Sequence, residues 1–233
     1  LVFVSVADQL KTLLTGAMCA VGSLNANPFG MPSLAIKAAA FVLCGMWLVT
    51  DRATPAAAST GLVRFKVVFL VVLAGALIAD SALQTRYFSN LDPEVITSCC
   101  ATIFNPEGAG VAGGLAGLSV GSSRVMFFGG FAVTIGVGLR VISGGQSFLS
   151  YSILAAALGL ITAAAVISWI APSYYELPTH HCPLCLLASE NGYVGYPLYL
   201  LLATAVISGI GSGLVRLLRG IDVHRCIRPN EER

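Results

Sequence analysis

Residues 66–83 read KVVFLVVLAGALIADSAL, a Val- and Leu-rich run with Asp80 as the single acidic position. A stretch of this length and composition predicts a membrane-crossing helix, which needs about 20 mostly apolar residues. The whole chain agrees with that reading. It is 56% hydrophobic and 10% charged, with a mean hydropathy of +0.84, which is more apolar surface than a water-soluble domain of this length buries. Allowing for connections, the 233 residues make roughly six spans, and no sizeable soluble domain fits beside them. The expected fold is an all-α polytopic helix bundle of five or six spans in a lipid bilayer.

Around the 66–83 run lie further apolar stretches at 34–50, 126–142, 150–170 and 196–218. A weaker one covers 1–22, where Asp8, Gln9 and Lys11 interrupt it. Asp8 and Lys11 stand three apart, a spacing that lets them pair on one helix face. The chain starts at Leu1 without an initiator Met, so processing or truncation of this end is expected. Residues 1–22 lack the basic segment of a cleavable signal. Residues 23–33 carry turn chemistry, Asn27-Pro28-Phe29-Gly30 and Pro32. Within the runs, Lys37 can snorkel to the interface. Asp80 is costly in a membrane and is expected to pair with Arg86 or to line a polar cavity.

Orientation follows from the Lys and Arg positions, because basic residues are retained on the cytoplasmic side. One side collects Arg52, Arg64, Lys66, Arg140, Arg216, Arg219, Arg225, Arg228 and Arg233, against Arg86 and Arg124 on the other, with Lys11 and Lys37 inside runs. Nine against two places the C-terminus in the cytoplasm and the loops 84–124 and 171–195 outside, in the periplasm of a bacterial inner-membrane protein. Tyr174, Tyr175, Tyr193, Tyr196 and Tyr199 then form an interfacial aromatic belt on the outer side. A formal net charge of +2 does not point to a nucleic-acid partner.

The candidate chemistry sits in the second outward loop, His180-His181-Cys182-Pro183-Leu184-Cys185. Cys182 is expected just ahead of a short helix with Pro183 as its first residue, where a missing N–H costs nothing. The helix dipole then favours the thiolate, and the two-residue spacing lets Cys182 and Cys185 cycle between dithiol and disulfide. Cys99-Cys100 shares the outward side. A bridge between adjacent residues needs a strained ring, so these two are expected to act toward other partners, the Cys182–Cys185 pair among them. Cys19 and Cys44 lie in apolar runs and are expected to pack as small hydrophobes, and Cys226 in the basic tail is expected to be an idle thiol. Glu176 and Glu190 flank the motif as ligands, proton acceptors or solvated charges.

This layout resembles the disulfide-bond-forming quinone reductases of bacterial membranes and the vitamin K epoxide reductase family, through Cys182 to Cys185 and, loosely, Cys99 and Cys100. The resemblance implies a membrane thiol-disulfide oxidoreductase with Cys182, Cys185, Cys99 and Cys100 as its catalytic cysteines. It further implies a quinone held by the bundle and a soluble periplasmic thiol protein as partner. The departures are a span count above four and loop cysteines that are adjacent. The alternative is a soft-metal site: His180, His181, Cys182 and Cys185 offer two imidazoles and two thiolates, a set suited to Zn²⁺ or Cu(I). The vicinal Cys99-Cys100 also looks like the pair of mercuric ion transporters. A third reading is a membrane subunit of a complex with the cysteines as staples, and Gly209, Gly211 and Gly213 offer a small-residue face for helix packing.

Overall fold

The computed structural model describes residues 2–54, 60–97, 103–105, 111–145 and 147–227, with side chains up to 219. The chain is all-α. Five helices are long and apolar enough to cross a membrane: Gly30–Ala53, Thr60–Ser89, Val120–Ile142, Phe148–Tyr175 and Gly195–Arg219. In chain order the elements are α1 (Val2–Leu10), α2 (Ala20–Leu24), α3 (Gly30–Ala53), α4 (Thr60–Ser89), α5 (Val111–Ala116), α6 (Val120–Ile142) and α7 (Phe148–Ala165). A π-turn (Val166–Ile170) joins α7 to α8 (Ala171–Tyr175), and two short 3₁₀ turns lead to α9 (Gly195–Ile227). Among the described residues, 2–22 hold no helix long enough for a sixth span. Their helix α1 has nine residues, about 14 Å of rise, against a hydrocarbon core of about 30 Å.

The spans form a row in which α6 packs on α7, α7 on α9, α9 on α3 and α3 on α4. Lipid gives no hydrophobic drive between helices, so close approach depends on small residues. A methyl group added at Gly209 would meet Ala155 of α7, one at Gly213 would meet Ser152, and one at Gly211 would meet Val49 of α3. Ser152 donates to the Gly209 carbonyl at 2.8 Å, a polar tie between spans that only backbones this close permit. Outward-facing Val67, Val71, Val72, Ile78, Phe128 and Leu160 are all exposed, as lipid-facing side chains are.

Asp80 does not pair with Arg86. Its carboxylate takes the Lys37 ammonium at 2.6 and 2.7 Å and the Ser33 hydroxyl at 3.1 Å, and Lys37 also reaches Gln84 Oε1 at 2.6 Å. Lys37 and Asp80 thus partner each other across neighbouring spans, the arrangement that makes such groups tolerable in lipid. The Phe3 ring of α1 covers the Lys37 Nζ at 4.7 Å, so the N-terminal helix lies against the α3–α4 pair.

One end of the row carries a cap built from α1, α2, α5 and the 176–194 loop. Phe3, Val4 and Ala7 of α1 bury against Ala20 and Leu24 of α2, Tyr87 at the end of α4, and Leu187 of the loop. Tyr87 is fully buried and donates its hydroxyl to the Ser23 carbonyl at 2.9 Å. The chain around residue 97 joins the same cap, where the Thr97 N–H donates to the Thr15 carbonyl at 3.1 Å. Asp8 and Lys11 pair as their spacing predicts, at 3.3 Å, and Lys11 also reaches Glu190 at 3.1 Å.

Candidate functional site

The cap brings together a residue that the sequence reading set aside. Cys19, at the N-terminal boundary of α2, meets the Cys182-Pro183-Leu184-Cys185 segment from the far side of the chain. Sγ of Cys19 lies 3.9 Å from Sγ of Cys182. The sulfurs of Cys19, Cys182 and Cys185 all lie within 4.8 Å of one another. The three residues are 4%, 1% and 9% exposed. Val21, Phe104, Ile103, Ala112, Ile167, Tyr175 and Leu184 enclose them, so the group is a sulfur cluster in an apolar shell.

The loop that holds Cys182 and Cys185 is fixed through its carbonyls. Tyr175 donates its hydroxyl to the Cys182 carbonyl at 2.9 Å, Tyr199 to the Pro183 carbonyl at 2.6 Å, and the Asn191 amide to the Cys185 carbonyl at 2.8 Å. Tyr174 closes the loop's far end on the Asn191 carbonyl at 3.1 Å. Three of the tyrosines expected as an aromatic belt, Tyr174, Tyr175 and Tyr199, therefore hold the motif from the ends of the fourth and fifth spans. Glu176 adopts a left-handed conformation at the end of α8, with φ 57°, and turns the chain into the loop. Glu190 is bound to Lys11. Between α1 and the loop, Ser5, Asp8, Gln9, Ser189 and Tyr193 help line a cavity of about 30 Å³, room for about one water.

The helix expected behind Cys182 is shorter and later than the sequence suggested. It is a four-residue 3₁₀ turn, Leu184–Leu187, with Pro183 as its cap. Cys182 stands one residue further out, and a single turn carries too little aligned dipole to favour a thiolate. His181 is buried, and its Nδ1 sits 2.9 Å from the Ile167 carbonyl of the π-turn. His180 stacks edge-on against Tyr175 with ring centroids 4.9 Å apart. Among the described residues, the ligand atoms gathered within 4.8 Å of one another are the three sulfurs, and neither imidazole joins them. Cys99 and Cys100 lie outside the described residues. Cys44 is exposed on the lipid side of α3.

The spacing of the sulfurs says what they are suited to. A disulfide has an S–S length of about 2.05 Å, so at 3.9 Å Cys19 and Cys182 touch without being bonded to each other. Three thiolates around one metal ion at the usual metal–sulfur length of about 2.3 Å stand about 4 Å apart in a trigonal or tetrahedral arrangement. The observed contact matches the second figure.

No protein-family model matches the chain, no curated protein matches it, and no solved structure matches it. Fold and site alone define its class: an all-α integral membrane protein of about five spans that carries a buried three-cysteine group in a cap at one end of the bundle.

Proposed function

We propose that the chain binds a soft metal ion, Zn²⁺, Cu(I) or Hg²⁺, through Cys19, Cys182 and Cys185, in a cap on the outer face of a bacterial inner membrane. The observation that carries this reading is the convergence of three sulfurs from two distant segments at ligand spacing inside an apolar shell. Thiolate sets select soft ions over Mg²⁺ or Ca²⁺, which take oxygen ligands. The outward assignment rests on the bias of basic residues, nine on the C-terminal side against Arg86, Arg124 and the cap's Lys11 on the other, which favours a cytoplasmic C-terminus. The test is titration of the detergent-purified protein with each ion against a competing chelator, with thiolate-to-metal charge-transfer absorption as the readout. One ion per chain is expected. Cys19→Ser, Cys182→Ser and Cys185→Ser each weaken binding, while Cys44→Ser leaves it unchanged. Equal binding by all four variants refutes the site.

A second reading draws on the same 3.9 Å contact and on the CxxC spacing: thiol-disulfide exchange. Two thiols of the trio are oxidised to one disulfide, and two electrons and two protons pass to a quinone or to the disulfide of a soluble periplasmic protein, which is reduced to two thiols. Alkylation trapping before and after addition of the oxidant separates the readings. Redox exchange removes two alkylatable thiols and leaves them removed after chelation, whereas metal protection is reversed by the chelator.

A further inference from the structure

The fourth span contains a defect whose repair lies in the thiol loop. Residues 166–170 follow a π register, and the Ala171 N–H is donated to the Val166 carbonyl, five residues back. In an α-helix that N–H would serve Ile167. In the π register the Ile167 carbonyl would instead look to residue 172, which is Pro172 and has no N–H. The helix therefore offers the Ile167 carbonyl no donor. A half-buried carbonyl at the end of a span without one is costly, more so where lipid excludes water. His181 Nδ1 reaches this oxygen at 2.9 Å. Because a carbonyl only accepts, Nδ1 carries the hydrogen and donates it, and so it cannot serve as a metal ligand. Ile167 itself packs on the cluster that contains all three cysteines.

We infer that His181 is a positioning residue of the three-thiol site: it supplies the donor that the π-turn and Pro172 withhold from Ile167, and so fixes the adjoining Cys182 against Cys19. This role rests on the proposed metal site for its functional meaning, but the geometry it describes holds for the thiols in any state. Partners that orient ligands from behind typically change metal affinity by about 10–100-fold when removed.

The experiment compares His181→Ala, His181→Asn and His181→Gln in the full-length protein in detergent. The readouts are the alkylation rate of Cys182 and the affinity for Cu(I) and Zn²⁺. Asparagine places an amide N–H near the position of Nδ1, whereas glutamine places its amide near Nε2. His181→Ala is expected to alkylate about tenfold faster at Cys182, the factor that loss of one buried hydrogen bond allows, and to bind metal about tenfold more weakly. His181→Asn restores both and His181→Gln restores neither. In a Pro172→Ala background the new N–H can serve Ile167, and His181→Ala then changes the alkylation rate by less than about twofold. If His181→Ala alone fails to fold, folding of the Pro172→Ala, His181→Ala double variant supports the inference, and its failure overturns it. Equal losses in Asn and Ala, or the full effect persisting beside Pro172→Ala, overturn it in favour of a direct ligand role. If the wild type binds no metal yet the alkylation pattern holds, the metal reading falls and the positioning role stands.

Discussion

Asp80 and Lys37 hold each other between two spans, so losing either one alone is costly. Asp80→Leu removes the carboxylate that holds Lys37 at 2.6 and 2.7 Å and Ser33 at 3.1 Å. The Lys37 ammonium, 22% exposed in its side chain, is left with Gln84 Oε1 at 2.6 Å and the Phe3 ring at 4.7 Å. Stranding one member of a buried pair costs about 3–5 kcal/mol. The surviving amide and ring contacts put this case at the lower end, about 3 kcal/mol, or roughly a hundredfold in the folding constant. Lys37→Met strands the carboxylate instead and is expected to cost about as much. The double variant removes both charges, and with them both desolvation penalties, so it is expected to lie within about 1 kcal/mol of wild type. Equilibrium unfolding in mixed micelles with increasing SDS, followed by far-ultraviolet circular dichroism, measures all four proteins. A single Asp80→Leu cost below about 1 kcal/mol, or a double-variant cost equal to the sum of the singles, means that the two charges do not hold each other in the folded bundle.

Three further outcomes are expected. Gly209→Ala presses a methyl group onto Ala155 and is expected to cost about 1–3 kcal/mol of overpacking, read as a lower unfolding midpoint in the same titration. The Lys11–Glu190 clasp gives the cap a pH window. The Glu190 backbone N–H first, then Lys11, holds that carboxyl below its ordinary value near 4.5. For Lys11, burial pulls the ammonium down, but Glu190 and Asp8 outweigh it and hold its pKa above the ordinary 10.5. The clasp is thus complete between these values, is lost as pH falls through the lowered Glu190 pKa, and is lost again as pH rises through the raised Lys11 pKa. Protection of the α1 amides, measured against the intrinsic exchange rate at each pH, should fall at both extremes in the wild type and vary less in Glu190→Gln; an unchanged profile in that variant contradicts the clasp. Finally, Tyr199→Phe frees the Pro183 carbonyl and is expected to speed alkylation of Cys185 while leaving Cys44 unaffected, as mass spectrometry of labelled peptides would show.

The spans were legible because their signal is length and apolarity, which neighbours cannot cancel: 66–83 sits inside Thr60–Ser89 and 126–142 inside Val120–Ile142. The helices run past the apolar runs because α4 carries Arg64, Lys66 and Arg86 in its end turns, where long side chains reach polar surroundings. The site was half legible. Cys182 and Cys185 announce themselves by spacing, whereas Cys19 looks like one more small residue in an apolar stretch. Its importance depends on α1 ending at Leu10, so that residues 11–19 lie in the cap and not in a span; the interrupting Asp8, Gln9 and Lys11 were the available sign. Pro172 at the end of the fifth apolar run was a comparable sign for the π-turn. The link from Pro172 through Ile167 to His181 is a tertiary hydrogen bond and leaves no local pattern.

The three-thiol group also sets an order of biogenesis. Cys19 and Cys182 are 163 positions apart, and at about 5–20 residues per second a ribosome takes roughly 8–33 s to travel between them. For most of that interval Cys19 is outside the ribosome while Cys182 and Cys185 are not yet made. Four of the five spans precede Cys182 in the chain, so the sulfur group closes only after nearly the whole protein has been inserted. A nascent chain stalled before that point carries Cys19 before Cys182 and Cys185 exist, open to electrophiles and quality-control factors, and closure of the cap withdraws it.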